Sequence, residues 1–157
     1  MPSTVKSQQR TPEMPVVVPA PFGSDRWLMD RAISYARFGL GTVMPNPSVG
    51  AVVFDPVARL VRGVGWTQPG GRPHAEPVAI DCAGEAARGA TMAVTLEPCA
   101  HHGRSPPCTD AIIRAGLARV IYAVADPDPR VAGRGLSQLR AVGIEVSRCD
   151  RDQVAEA

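Results

Sequence analysis

From Ser24 onwards, apolar and polar residues fall into short periodic runs separated by glycine, proline and asparagine. Trp27, Leu28, Ala32, Ile33 and Ala36 recur at helical spacing and form one apolar stripe. Ser24 is a suitable N-cap, and Gly39 and Gly41 end the run, so a helix is predicted from Ser24 to about Phe38. "MPNPSVG" (44–50) reads as a turn-rich loop, because each proline disfavours helix in the residue before it. "GAVVFD" and "LVRGVGW" are strand-like runs joined through Asp55-Pro56, which predicts a hairpin. After a second loop, "TQPGGRP" (67–73), a helix is predicted from about His74 to Ala87, with Pro77 acceptable in its first turn. "TMAVTL" is a buried strand, and a helix from about Pro107 to Ala115 is closed by Gly116. "RVIYAVAD" is a fourth strand, "LSQLRAVG" a short helix and "IEV" a last strand. A hairpin followed by alternating helices and strands predicts a layered α/β domain with a mixed sheet. Residues 1–22 lack periodicity and are expected to be a disordered tail, leaving a domain over 23–150 and a short tail over 151–157.

Composition narrows this picture. At 157 residues the chain has the size of one domain, and with aromatics at 4% its core must be built mainly from Ala, Val, Ile and Leu. The net charge is +2 and the arginines lie among acids, so no basic track for nucleic acid and no membrane patch is expected. Lys6 is the only lysine and lies in the tail, which argues against a Schiff-base mechanism. No apolar run is long enough to span a bilayer, and no export signal is legible, so the expected location is cytoplasmic. In that setting Cys82, Cys99, Cys108 and Cys149 point to metal binding or packing ahead of disulfides. Cys82 lies among Ala and Ile in a helical run and is expected in the core; Cys149 is expected to be exposed.

The candidate chemistry lies in "HAE" (74–76) and "LEPCAHHGRSPPC" (96–108). One imidazole and two thiolates, from His74, Cys99 and Cys108, form a zinc ligand set that leaves a coordination position open. Glu76, two residues past His74, is placed to carry protons without ligating. Cys99 and Cys108 lie before and at the start of a predicted helix, whose positive end favours thiolates. This is the pattern of zinc deaminases, H-x-E followed by P-C-x-x-C, except that eight residues separate the two cysteines.

"NPSVGAV", "HAE", "TLEPCAHHGRSPPC" and "ADPDPRVAGRG" together resemble the deaminase domain of bacterial riboflavin biosynthesis, over roughly residues 24–148. The resemblance implies a three-layer α/β/α sandwich with a mixed central sheet, cytidine-deaminase-like. It implies zinc held by His74, Cys99 and Cys108, with Glu76 as proton shuttle. It implies hydrolytic removal of the 2-amino group from a phosphorylated pyrimidine, 2,5-diamino-6-(5-phosphoribosylamino)pyrimidin-4(3H)-one. Asn46, Arg104, Asp126 and Asp128 match substrate-contacting positions, Arg104 facing the phosphorylated end. Two residues depart from the family: Asp128 replaces an Asn, and Thr67 stands where many members carry a substrate-contacting His. Most members continue into a nicotinamide-dependent reductase, which is absent from this sequence, so a separate reductase chain is an expected partner. Homo-oligomerisation is also implied.

Simpler readings stand beside these. His101 or His102 could close the coordination shell and make a structural zinc site. Glu97 is expected to be structural, buried and bonded to backbone. Arg104 could be an ordinary surface arginine. The rival functions are a same-fold deaminase acting on another nucleoside, nucleotide or base, and a non-catalytic zinc-stabilised interaction domain.

Overall fold

The computed structural model describes residues 19–149; most of the expected N-terminal tail and all of the C-terminal one lie outside them. Among the described residues, four α-helices flank a five-stranded sheet. The elements are α1 (Asp25–Ala36), β1 (Gly50–Asp55), β2 (Leu60–Trp66), α2 (Ala75–Ala83), β3 (Thr91–Leu96), α3 (Cys108–Ala115), β4 (Arg119–Val124), α4 (Arg134–Ala141) and β5 (Glu145–Arg148). Ser24 caps α1 as expected, accepting from the Trp27 N–H at 3.2 Å. The helix is shorter than predicted and passes into a 3-10 turn, Arg37–Gly39. α2 likewise ends at Ala83, and its predicted last turn is a separate 3-10 segment. Phe22, assigned to the tail, packs its ring edge-on against Trp27 and Phe54.

The sheet order is β2-β1-β3-β4-β5. β1 pairs antiparallel with β2 and β3, while β3–β4 and β4–β5 are parallel, so the sheet is mixed as expected. The hairpin turn is held by Asp55, whose Oδ1 accepts from the N–H groups of Val57 and Ala58 at 3.0 Å. Strand alternation divides the core between two faces. Val52, Phe54, Ala93 and Ile121 meet Leu28, Met29 and Ala32 of α1. Ala51, Val53, Met92, Val94 and Val120 meet Ala75 and Ala79 of α2, Ile112 of α3 and Leu139 of α4. Three layers result.

α2 lies directly on the edge strand because Gly63 and Gly65 carry no side chain. A Cβ on either would collide with backbone atoms of Ala75, Ala79 or Ala83. This seating corrects the expectation for Cys82, which is exposed. Ala75, Ala79 and Ala83 define the inward face, and Cys82 lies on the flank opposite Ile80, the flank that meets the core. Cys149 is half-buried against the α1 face, not exposed. No helix among the described residues is long and apolar enough to cross a membrane.

Candidate metal centre

One end of the sheet gathers the carboxyl ends of β2, β3 and β4 and the amino end of β1, the end at which open α/β sheets commonly bind ligands. Two helices begin there. His74 is the N-cap residue of α2, and Cys108 is the first residue of α3. β3 delivers the chain through Glu97 and Pro98 to Cys99. His74 Nδ1 lies 3.3 Å from Cys108 Sγ and 3.8 Å from Cys99 Sγ. All three potential ligand atoms lie within 4.8 Å of one another, and no other such cluster of His, Cys, Asp or Glu occurs among the described residues. His101 and His102 lie outside this trio.

The backbone at the start of α3 points at the sulfurs. The Cys108 N–H donates to Cys99 Sγ at 3.3 Å, and the Thr109 N–H donates to the Cys99 carbonyl at 3.2 Å. The hydrogen bond between the two side chains, donated by the Cys108 thiol, holds the Cys99 thiol down to about 4, while the same bond and burial push Cys108 up. The pair therefore shares one proton, which a thiophilic dication would displace. The hydrogen bond to Cys99 raises His74, against burial and the charge of Arg72. One borderline nitrogen and two soft sulfurs, preorganised on helix starts, fit zinc.

Glu76, in the first turn of α2, is only 4% exposed. Burial lifts its carboxyl to about 7, and its own backbone N–H partly opposes this. A dication at the trio would draw it down again. Glu76 shares with His74 and Cys99 the wall of a cavity of about 190 Å3.

The other expected site residues divide. Asn46 and Asp126 line this cavity. Asn46 is seated against Gly71 (φ 87°), where a Cβ would collide with its side chain. Arg104 is exposed and lines a separate depression of about 670 Å3, together with His102, Asp110 and Arg114. Asp128 does not line the cavity; its carboxylate is paired with Arg130 at 2.7 Å.

Thr67, Glu97 and Arg72 line the cavity as well. Thr67 is 2% exposed, and its Oγ1 accepts from the Val49 N–H at 2.9 Å, so its hydroxyl fixes the Asn46 loop. Glu97, 5% exposed, accepts from the Asp126 N–H at 3.1 Å and the Gly133 N–H at 2.8 Å, as its structural reading anticipated. Arg72 also lines the cavity. Its only sequence signal was a cation two residues before His74.

The cytidine and deoxycytidylate deaminase zinc-binding region, as a family, matches residues 23–124. The riboflavin biosynthesis protein RibD of Escherichia coli (strain K12) is 52% identical over 123 residues, 78% of this chain and 33% of that protein. The chain thus spans about a third of that relative's length. A protein of Buchnera aphidicola subsp. Schizaphis graminum, named diaminohydroxyphosphoribosylamino-pyrimidine deaminase, is 46% identical; the match covers 78% of this chain and 82% of that one. The crystal structure of a Thermotoga maritima diaminohydroxyphosphoribosylaminopyrimidine deaminase/5-amino-6-(5-phosphoribosylamino)uracil reductase superposes with a TM-score of 0.70 at 45% identity, covering 79% of this chain and 36% of that one.

Proposed function

Because the chain belongs to the diaminohydroxyphosphoribosylaminopyrimidine deaminases of the cytidine and deoxycytidylate deaminase zinc-binding family, we propose that it deaminates 2,5-diamino-6-(5-phosphoribosylamino)pyrimidin-4(3H)-one by hydrolysis. The observation that carries this reading is the pairing of a three-donor cluster with a buried carboxyl outside it, the carboxyl of Glu76 lining one cavity with the donors His74 and Cys99. A structural zinc site needs no such carboxyl.

In this reading His74, Cys99 and Cys108 hold zinc, which when bound lowers the pKa of a water towards about 7. Glu76 accepts a proton from the attacking water as its oxygen bonds to the amino-bearing ring carbon. The carboxyl passes that proton to the adjacent ring nitrogen. It then moves the second proton to the amine, the C–N bond breaks, and ammonia leaves a carbonyl behind. One group can serve as base and then acid because it is not consumed as a ligand. Asn46 and Asp126 face the ring from the opposite loops. We further read the domain as self-associating and as passing its product to a reductase, the class of activity that shares the name of the Thermotoga protein.

The test is ammonia release by zinc-loaded protein from this substrate, beside dCMP and cytidine. Stoichiometric ammonia from the diaminopyrimidinone supports the reading. Turnover of dCMP or cytidine alone favours the same-fold rival, and zinc-dependent folding without turnover of any of them leaves the interaction-domain reading.

A further inference from the structure

Resting on the reading that His74, Cys99 and Cys108 hold zinc, we infer that a second hollow, between the starts of α2 and α3, is the passage by which the metal is loaded and withdrawn, apart from the cavity that takes the substrate. The trio stands between two spaces. The substrate cavity is walled by His74 and Cys99 but not by Cys108. The second hollow, of about 180 Å3, is walled by His74 and Cys108 but not by Cys99. At the roughly 30 Å3 that a water occupies in the liquid, it has room for about six, enough for a dication that still carries part of its hydration. The other route runs past Asn46, Glu76 and Asp126 and is closed whenever substrate is bound.

The lining of the hollow is graded from the metal site outwards. Cys108, Ala111 and Arg114 stand three residues apart in α3, so their side chains follow one another along one face. Cys108 is buried, Ala111 half-buried and Arg114 exposed, so this row leads from a ligand to solvent. Ala111 is the short member of the row, where a longer side chain would close the space. Pro73, Pro77 and Pro106 contribute to the wall, and a pyrrolidine ring has no rotamer that swings across the opening. No carboxylate among the described residues lines the hollow, so nothing in it competes with the trio for a dication. Arg114, at the outer end, attracts an anionic carboxylate or thiolate complex that carries the metal to or from the site.

The test mixes the zinc-loaded chain with excess pyridylazoresorcinol and follows zinc transfer by the absorbance of the chelate, beside the zinc Kd from competition. Ala111→Leu fills the hollow next to Cys108, and Arg114→Trp covers its outer end. Each should slow withdrawal and reloading about tenfold while Kd stays within about twofold, because a passage sets the barrier and not the two end states. Arg114 is exposed, so its variant decides the matter even if Ala111→Leu fails to fold. Leu96→Phe, which narrows the substrate cavity, should leave the transfer rate within about twofold of wild type. Slowing by Leu96→Phe alone would route the metal through the substrate cavity and overturn the inference. Equal rates in all three variants, independent of chelator concentration, would mean that local opening of the fold releases the zinc, which overturns it as well. A wild type that takes up no zinc would fail the ligand assignment and the inference with it. A wild type that takes up zinc but releases no ammonia from the diaminopyrimidinone would fail the proposed function alone, and the transfer rates would still decide the inference.

Discussion

The cavity has two kinds of wall, built on different principles. One consists of helix starts. His74 and Glu76 open α2, and Cys99 sits under the N-terminus of α3, whose first residue, Cys108, completes the trio without itself lining the cavity. Here the backbone presents reactive side chains, and the spacing that creates the chemistry is local. The other wall consists of the loops around 44–49 and 126–133. There the relation is inverted, because buried side chains hold the backbone. Thr67 reaches across to Val49, and Glu97 reaches across to Asp126 and Gly133. The first wall should therefore fail through chemistry, and the second through shape.

The largest expected effect tests the first wall at a ligand. Cys108→Ser replaces a soft thiolate with a poor donor. Zinc affinity should fall by more than the roughly 10–100-fold that follows loss of a partner outside the ligand set, and turnover should fall to background. Metal content after dialysis, measured by atomic emission, reads this directly. Retention of tightly bound zinc, with His101 or His102 recruited as a ligand, would place this wall in the structural class instead.

Glu76→Gln comes next. It preserves size and leaves all three donors, so zinc should remain at about one per chain while kcat drops by roughly a hundredfold to ten-thousandfold. Loss of metal would identify Glu76 as a ligand, and near-normal turnover would remove it from the proton path.

The two walls also differ in how far they were legible in the sequence. "HAE" and "PC" point to a candidate metal centre because two or three neighbouring residues offer its groups, and helical periodicity placed α1, α2 and α3 to within a few residues. The second wall is written in contacts 18 to 36 residues apart, between a side chain and a backbone amide of unrelated identity. Nothing in the Val49 or Gly133 position announces such a bond. Arg72 was nearly as silent, since the cavity that it lines exists only in the folded chain. Cys82 misled for a related reason. Its apolar neighbours fit a core helix, but the seating of α2 is set by Gly63 and Gly65 on the strand beneath. Their alternation in "LVRGVGW" was a signal of close helix approach that could have been used.

Glu97→Gln sharpens the contrast from the side of the second wall. An amide has one oxygen and one NH2 group where the carboxylate offered two acceptors, so it cannot accept from both Asp126 and Gly133 in the same way. Losing a charged hydrogen bond here should cost about 1.5–3 kcal/mol in urea unfolding. Zinc should be retained, and KM should rise more than kcat falls, because Asp126 is displaced while Glu76 is untouched. A fall in kcat with KM unchanged would instead make Glu97 part of the chemistry, and the division between the walls would not hold.

Thr67→Val is the mildest break and the most selective. Valine keeps the β-branched shape of this fully enclosed side chain and removes only the hydroxyl. The backbone bond from the Thr67 N–H to the Val49 carbonyl, at 2.9 Å, survives, so the strand continuation is not lost. The Val49 N–H loses its partner, and so does the Pro47 carbonyl, which accepts from Oγ1 at 3.3 Å. An unsatisfied buried amide costs about 1–3 kcal/mol, and the loop can relax to recover part of it. A net loss of about 1 kcal/mol corresponds to a melting temperature lower by about 2–4 °C in a domain of this size. Zinc content and kcat should stay within twofold of wild type, with a small rise in KM as the Asn46 loop loosens. Thr67→Ser returns the hydroxyl without the methyl and should recover most of the melting temperature if the hydrogen bond is what matters. If serine is as destabilised as valine, the methyl packing holds the loop, and the second wall is shaped by packing at this point instead of by a polar anchor.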